Sequence, residues 1–420
     1  MSTHNHLSIG LFGFGVVGEG IYHVLNQTPS LNASIKKVCI KHPEKKRDAP
    51  ASLFTTDYDE LLNDETINLI VELIDDADEA FKIVSTAFRK GKSAISANKK
   101  MIAEHLPELI QLQKKQGVSF LYEAAVCGSI PVIRNLEEYF DNDLLQSVSG
   151  IVNGSTNFML TQVVQGATYS EALREAQQKG FAESNPTLDV EGFDAANKLT
   201  ILLAHAYGIL TEPARLLRQG ITRLNTRDAA YAQEKGLKIK LVAQARKLTS
   251  GKVAAFVLPQ FVKADSQLFT VDNEYNGVII ESKLADKQFF YGKGAGRYPT
   301  SSAVVSDISA LGYQYQYEYK KLNRKEKNAL TADFYLDVFV SFAAWTDVNK
   351  WDFEELTEYH STAERQYIRG VIHAEKLRDA AWFNDPSVSV IVQPNGVIEK
   401  ESLVQKNLKK VSLQLAGVGL

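Results

Sequence analysis

Up to about residue 125 the hydrophobic pattern alternates between two periods. "HLSIGLFG" is a short apolar run that predicts a buried strand, and "VVGEGIYHVLNQ" has helical spacing until Thr28 and Pro29 end it. "IKKVCI" and "TINLIVELI" predict a second and a third strand. "DEAFKIVSTAFRKG" predicts a helix closed by Gly91. "KSAISAN" reads as a strand, "LPELIQLQKKQG" as a helix and "VSFLYEAAV" as another strand. Strands alternating with helices predict βαβ units, and so an α/β domain with a parallel sheet covered on both faces.

The middle of the chain is patterned differently. "YSEALREAQQKG" predicts a helix with Ser170 as N-cap and Gly180 at its end, and "GFDAANKLTILLAHAYG" a second, more apolar one. Strand-like "KVAAFVLPQFV" and "GVIIES" follow, as expected of an α+β substrate domain. The charged stretch at 319–330, "YKKLNRKEKNAL", reads as a linker or exposed helix end. Beyond it come "ADFYLDVFVSFAAW", a helical stretch around 354–379 and "SVSVIVQP", a pattern that predicts a small βαβ-like module. The expected boundaries are 1–130 with about 300–318 for the N-terminal domain, 131–299 for the substrate and dimerisation domain, and 330–420 for the C-terminal module.

Composition narrows the class. A net charge of −3 gives no reason to expect nucleic acid or an anionic membrane as partner. Two cysteines, Cys39 and Cys127, exclude a disulfide framework and a cysteine-rich zinc site. No apolar run approaches ~18 residues, and "MSTHNHLSIG" lacks the basic-then-apolar order of a signal peptide. A cytoplasmic enzyme is the expectation.

Candidate chemistry begins at "GLFGFGVVGEG". It holds G-x-G-x-x-G at Gly13, Gly15 and Gly18, between an apolar strand and a helix. Gly13 would permit the tight turn, Gly15 close approach of backbone to a pyrophosphate, and Gly18 close helix–strand packing. With Val16 and Val17 these are the candidate cofactor-binding positions; the bland alternative is a tight turn with no ligand. The second strand then runs into Lys41, His42, Pro43, Glu44, Lys45, Lys46 and Arg47 instead of the acid expected at an NAD ribose. Lys41 and its neighbours would suit a 2′-phosphate, so NADP is favoured over NAD, unless the run is simply a solvated charge cluster.

"NPTLDVEGFDAANKL" carries a second constellation. Phe193, Ala196, Leu199, Leu203 and Ala206 form an apolar stripe on the predicted helix, and Asp194 and Lys198 lie off it. Their own face continues into Ile201 and Leu202, then His205, which points to a cleft or interface. There a lysine amine would suit proton transfer near neutrality, with Glu183, Asp189 and Asp194 free to orient water or bind an ammonium. The alternative is an ordinary i,i+4 ion pair worth a few tenths of a kcal/mol. Cys127, His205 and the aromatic segment with Trp345, Trp351 and Trp382 read as packing residues.

These segments, with "SANKKMIAEH", "YEAAVCGSIPVI", "GIVNGSTNFML" and "GKGAGRYPTSSAVVSDI", make the chain resemble homoserine dehydrogenases from the glycine turn to about Ile308. The resemblance implies NAD(P)-dependent interconversion of L-aspartate 4-semialdehyde and L-homoserine. It implies Lys198 as acid/base, with Asp194 and Asp189 as its acidic partners. Glu183 would lie near the substrate amino group and Lys99 beside nicotinamide and substrate. Gly154, Ser155 and Thr156 would form the mouth of the site, and Gly294 would belong to a segment closing over the cofactor. It further implies a monovalent cation (Na⁺ or K⁺) held by the Glu123 side chain and the carbonyls of Val126, Gly128 and Ile130, and a homodimer or homotetramer. Two departures stand out: Asp75-Asp76 replaces a glycine pair after "VELI", and the C-terminal module lacks the usual ACT-domain signature, so it is at most a diverged ACT-like unit. A non-catalytic nucleotide-binding regulator would tolerate loss of Lys198 and Lys99; this chain keeps both. Another NADP-linked amino-acid oxidoreductase would share the glycine turn but need different polar residues in the middle domain.

Overall fold

The computed structural model of the protein describes residues 6–142, 144–362 and 366–405. Its first layer is a six-stranded sheet of β1 (Leu7–Phe12), β2 (Ala33–Cys39), β3 (Phe54–Thr55), β4 (Leu69–Glu72), β5 (Ser93–Ser96) and β6 (Phe120–Leu121). The order is β3-β2-β1-β4-β5-β6 and every pairing is parallel. This is Rossmann-type winding. The chain reverses direction across the sheet between β1 and β4, which opens a crevice beyond their C-terminal ends. The crossovers carry α1 (Val16–Gln27), α2 (Tyr58–Asn63), α3 (Ala77–Arg89) and α4 (Lys99–Gln116). Neither β3 nor α2 was expected from the pattern, and "VSFLYEAAV" contributes only the two residues of β6 before a 3₁₀ turn at Glu123–Ala125.

A short helix, α5 (Val132–Arg134), leads into the second layer. There follow β7 (Leu145–Ile151), α6 (Gly154–Val164), α7 (Tyr169–Gln178), α8 (Thr187–Val190), α9 (Phe193–Tyr207), β8 (Leu217–Arg218) and α10 (Thr226–Glu234). Next come β9 (Lys238–Lys247), β10 (Val253–Val262), β11 (Tyr275–Ser282), β12 (Asp286–Lys293) and α11 (Arg297–Gly312). The C-terminal part holds β13 (Tyr335–Phe342), β14 (Phe353–Ser361), β15 (Gln366–His373), α12 (Ala374–Asp379) and β16 (Ser389–Ile398). The sheet order is β12-β11-β7-β9-β10-β16-β13-β15-β14, with β8 alongside β10.

Strand β10 shows how the layers join. Ala255, Val257 and Phe261 pack into the core shared with the first sheet, while Ala254, Phe256 and Leu258 pack into a second core with β13, β15 and β16. With both faces buried it reads as continuous apolar sequence. The C-terminal strands extend this sheet through the parallel β10–β16 pairing, and β13 is antiparallel to both β15 and β16.

That architecture corrects three expectations. The stretch around 354–379 is not a helix: it is the hairpin β14–β15 followed by the short α12. Its partners are antiparallel, so the module is not βαβ. The 319–330 stretch is not a solvated linker at its start, since Tyr319 and Lys321 are buried. Lys321 donates to the carbonyls of Leu136 and His205, and burial pushes its ammonium down to about 8. The N-cap of α7 is Thr168 rather than Ser170, in a reciprocal capping box with Glu171.

Helix α11 returns the chain to the first layer. It lies against α1, with Arg297 paired to Glu19 and the Ser301 hydroxyl donating to the Val17 carbonyl.

Candidate active site

At the glycine turn, Gly13 has φ +92, and a Cβ there would lie 2.9 Å from the Leu73 carbonyl oxygen. A Cβ on Gly18 would lie 2.3 Å from the Gly13 oxygen. Both positions therefore require glycine for packing. Gly15 differs, because a Cβ there would meet nothing within 4 Å. Gly15 is the N-cap of α1 and makes no side-chain cap, so the amides of Val16 and Val17 open the helix toward the crevice. A pyrophosphate fits this donor set. Lys41 is exposed beyond β2, and Arg47 stacks over Phe54 while donating to the carbonyls of His42 and Lys45. Asp76 has a local task, capping α3 by accepting from the Glu79 amide. Glu72, at the end of β4, is fully buried, and burial pushes its carboxyl up to about 7.

Across the crevice, α9 starts at Gly192 (φ +78) and ends at Gly208 (φ +66). It is buried on nearly all sides, so the apolar stripe of the sequence is only part of its contact surface. Asp194 is 3% exposed and Lys198 8%. The Lys198 Nζ donates to Asp194 Oδ2 at 2.7 Å and to the Val152 carbonyl at 2.7 Å. An ammonium has three donors, so one is left. The surface-pair reading of Asp194 and Lys198 is therefore wrong. Lys99 enters from the first layer as the first residue of α4, placed by Asn98, which caps that helix through the Met101 amide. Its Nζ lies 3.1 Å from Asp194 Oδ1, an ion pair whose alignment falls short of a hydrogen bond, and its side chain is 45% exposed.

Electrostatics follow from this packing. Burial alone would raise the Asp194 carboxyl, but Lys198 and then Lys99 outweigh it and hold the group well below the usual carboxylate range. The charge of Asp194 raises the Lys99 ammonium above its ordinary value. Asp189 is pushed up by burial and by the Asp194 charge. Glu183 is exposed nearby and adds slightly to the field on Lys99.

Asn153 joins these groups, and the sequence reading did not single it out. Its amide nitrogen donates to Asp189 at 2.7 Å and to Asp194 at 2.8 Å, while its oxygen caps α6 at the Thr156 amide. The signal was present: an Asn ahead of "GSTN" is a helix N-cap pattern. Gly154 is forced by packing, since a Cβ would lie 2.6 Å from the Glu274 oxygen, and the Ser155 hydroxyl donates to the Phe181 carbonyl. Gly294 passes the buried Asn276 so closely that a Cβ would lie 2.1 Å from its amide.

The Glu123 side chain, the cation ligand implied by the resemblance, is engaged by protein donors in this structure. Its two oxygens accept from the amides of Ile133 (2.8 Å) and Arg134 (3.0 Å), and the Arg134 guanidinium lies 3.5 Å away. Burial outweighs these partners and pushes the Glu123 carboxyl up to about 6. Among the described residues no group of three or more His, Cys, Asp or Glu is placed to hold a metal ion. Cys127 is buried near this loop, and burial pushes its thiol up to about 11, which keeps it unreactive. His205 is a satisfied core residue, bonded to Glu137 and Tyr122 at 2.8 Å each. Trp382 is buried, whereas Trp351 is largely exposed. No described helix is long and apolar enough to cross a membrane.

Comparison with known proteins agrees with this geometry. Residues 13–123 match the family model described as "Homoserine dehydrogenase, NAD binding domain", and residues 131–309 match the one described as "Homoserine dehydrogenase". The homoserine dehydrogenase of Bacillus subtilis (strain 168) is 34% identical over 315 residues, 73% of this chain and 72% of the relative. The structure of a homoserine dehydrogenase from Thiobacillus denitrificans superposes with a TM-score of 0.79 at 26% identity, covering 92% of this chain and 98% of the other. A hyperthermophilic archaeal homoserine dehydrogenase in complex with NADPH gives 0.64 at 25% identity, covering 74% and 99%. The chain belongs to the homoserine dehydrogenase family, NAD(P)-dependent oxidoreductases that interconvert L-aspartate 4-semialdehyde and L-homoserine.

Proposed function

We propose that Lys198 is the acid/base of this reaction, with Asp194 and Lys99 completing the catalytic group. The observation that carries the reading is the unused donor of Lys198. Asp194 and the Val152 carbonyl take two ammonium hydrogens and fix the amine, and the third is free for a substrate oxygen. Bound nicotinamide supplies or accepts hydride at the substrate carbon. In reduction, Lys198 stabilises the charge growing on the aldehyde oxygen and gives it a proton; in oxidation the neutral amine takes the hydroxyl proton. Asp194 holds both lysines, and the half-exposed Lys99 links the buried amine to solvent through the shared carboxylate. Glu183 and Asp189 bind the substrate ammonium, with Gly154, Ser155 and Thr156 shaping the mouth.

Gly13, Gly15, Val16, Val17 and Gly18 cradle the pyrophosphate, Gly294 lies in the covering segment, and Lys41 meets a 2′-phosphate. NADP preference is supported by the exposed cations after β2 and by the NADPH named with the archaeal relative. A Na⁺ or K⁺ ion would rest on the Glu123 side chain and the carbonyls of Val126, Gly128 and Ile130. A homodimer or homotetramer and a cytoplasmic location are proposed on the resemblance. The sequence pattern supports a cofactor-binding domain of 1–130 with about 300–318, a substrate and dimerisation domain of 131–299 and an ACT-like module of 330–420.

The test is reduced-nicotinamide absorbance with L-homoserine and either NADP⁺ or NAD⁺. Turnover, faster with NADP⁺, is expected. No turnover in either direction, aspartate semialdehyde included, would sink the proposal.

A further inference from the structure

A cavity of about 650 Å³ lies where α9, the start of α4 and the C-terminal segment of α12 and the 3₁₀ turn Ala381–Asn384 meet. Among its lining residues are Phe193 and Asn197 of α9, each one position before a catalytic side chain and so about 100° round the helix from it, with Ala196 between them. Arg378, Phe383 and Asn384 close it from the C-terminal side. Part of its floor is apolar and open, with Leu188 57% and Phe193 40% exposed.

The rim charges do not cancel. Arg378 pairs with Glu375 and Asp379, and Lys100 with Glu104. Arg218 has no such partner. Its guanidinium lies 3.6 Å over the Phe193 ring and donates to the Glu191 backbone carbonyl, yet among the described residues no carboxylate is within ion-pair distance. It is half-buried, so its charge has lost part of its hydration. The Glu191 carboxylate, held by the Thr222 hydroxyl, acts on it from beyond ion-pair distance, and a second guanidinium, Arg223, partly offsets that carboxylate while donating to the Phe383 carbonyl. A planar guanidinium fixed by stacking, with free donors facing a cavity, is built to receive a carboxylate. Glu212, on the same rim, disfavours a second negative charge.

We propose that this cavity binds a small monocarboxylate with an apolar body, its carboxylate on Arg218 and its body against Phe193 and Leu188. Such a ligand would touch the back of the turn that carries Asp194 and Lys198. It would also give α12 and the turn after it a task, as the wall that completes the site.

The full chain would be titrated with 4-fluorobenzoate and followed by fluorine NMR, beside the neutral isostere 4-fluorobenzamide. Saturable binding of the acid is expected, at least tenfold tighter than the amide, and at least tenfold weaker in R218M, which keeps the apolar packing on Phe193. If R218M does not fold, L188W reports on location instead, through an indole signal that changes as the acid saturates. No saturable binding by the wild-type chain, equal affinity for acid and amide, or an unchanged L188W signal would overturn the proposal.

Discussion

Helix α9 carries two buried side-chain pairs of a carboxylate with a nitrogen base about two turns apart, and only one of them is a site. At its first turns Lys198 meets Asp194, and toward its end His205 meets Glu137. The His205 ring is fully buried among Tyr122, Tyr317 and Tyr319, and both nitrogens have partners. The Lys198 pair has a spare donor, and through Lys99 it reaches a half-exposed surface. Burial with every donor satisfied makes structure; burial with one donor left over, facing a crevice, makes chemistry possible.

The largest expected effect follows from removing the amine. Lys198→Ala should lower kcat by about 10³-fold, within the range for loss of a positioned acid/base, while cofactor affinity stays within about threefold. Steady-state kinetics with a cofactor titration on the same sample decides it. A loss expressed only in KM would break the contrast.

Asp194→Asn should cost about 10²-fold in kcat/KM, because the charge that positions both lysines is gone. Since Asp194 raises the Lys99 ammonium, its removal lets that group deprotonate at lower pH. The alkaline limb of the pH–rate profile should therefore move to lower pH. An unmoved limb contradicts the assigned coupling.

Lys41→Ala tests the cofactor end. It should raise KM for NADP⁺ by about tenfold, as expected for one charge-assisted contact of ~1.4 kcal/mol, and leave NAD⁺ unchanged. Equal effects on the two cofactors would return the basic run to the solvated class.

His205→Gln should barely alter kcat but lower stability by about 1–3 kcal/mol, since the buried Glu137 carboxylate loses the imidazole and keeps the Tyr319 amide. Burial alone would raise the Glu137 carboxyl; the hydrogen bond and charge of His205 outweigh it and hold the group below its ordinary 4.5. A depressed carboxyl contributes stability that is complete above the unfolded-state value and lost as pH falls through the folded-state value. The wild-type melting temperature should thus drop on acidification below about 4.5, and the variant should show a shallower fall. Parallel curves would remove Glu137 from the account.

Much of this was legible in the sequence, and the exceptions have physical causes. The alternation through residue 125 is plain because β1 and β4 are buried on both faces while the crossover helices are not. β3 and α2, at two and six residues, are too short to show a period. β14 misled because, among the described residues, it pairs only with β15 and exposes charge on much of both faces, so "FEELTEYHS" lacks strand alternation. The acidic cluster and Lys198 were visible as residue types at helical spacing. Their connection through Asn153 was not, because it depends on α6 and α9 meeting in three dimensions. The Glu123 oxygens likewise find their partners only once α5 turns back over the loop. Spacing alone gave no hint of that.

The most direct test of the contrast along α9 is single-turnover hydride transfer in Lys198→Ala and His205→Gln, each with its melting temperature measured on the same preparation. The account predicts that the lysine variant keeps its fold and loses transfer by about 10³-fold, while the histidine variant melts several degrees lower and transfers hydride within about threefold of wild type. If the histidine variant keeps its fold and loses transfer instead, or the lysine variant still transfers within tenfold, the assignment of chemistry to Lys198 is wrong.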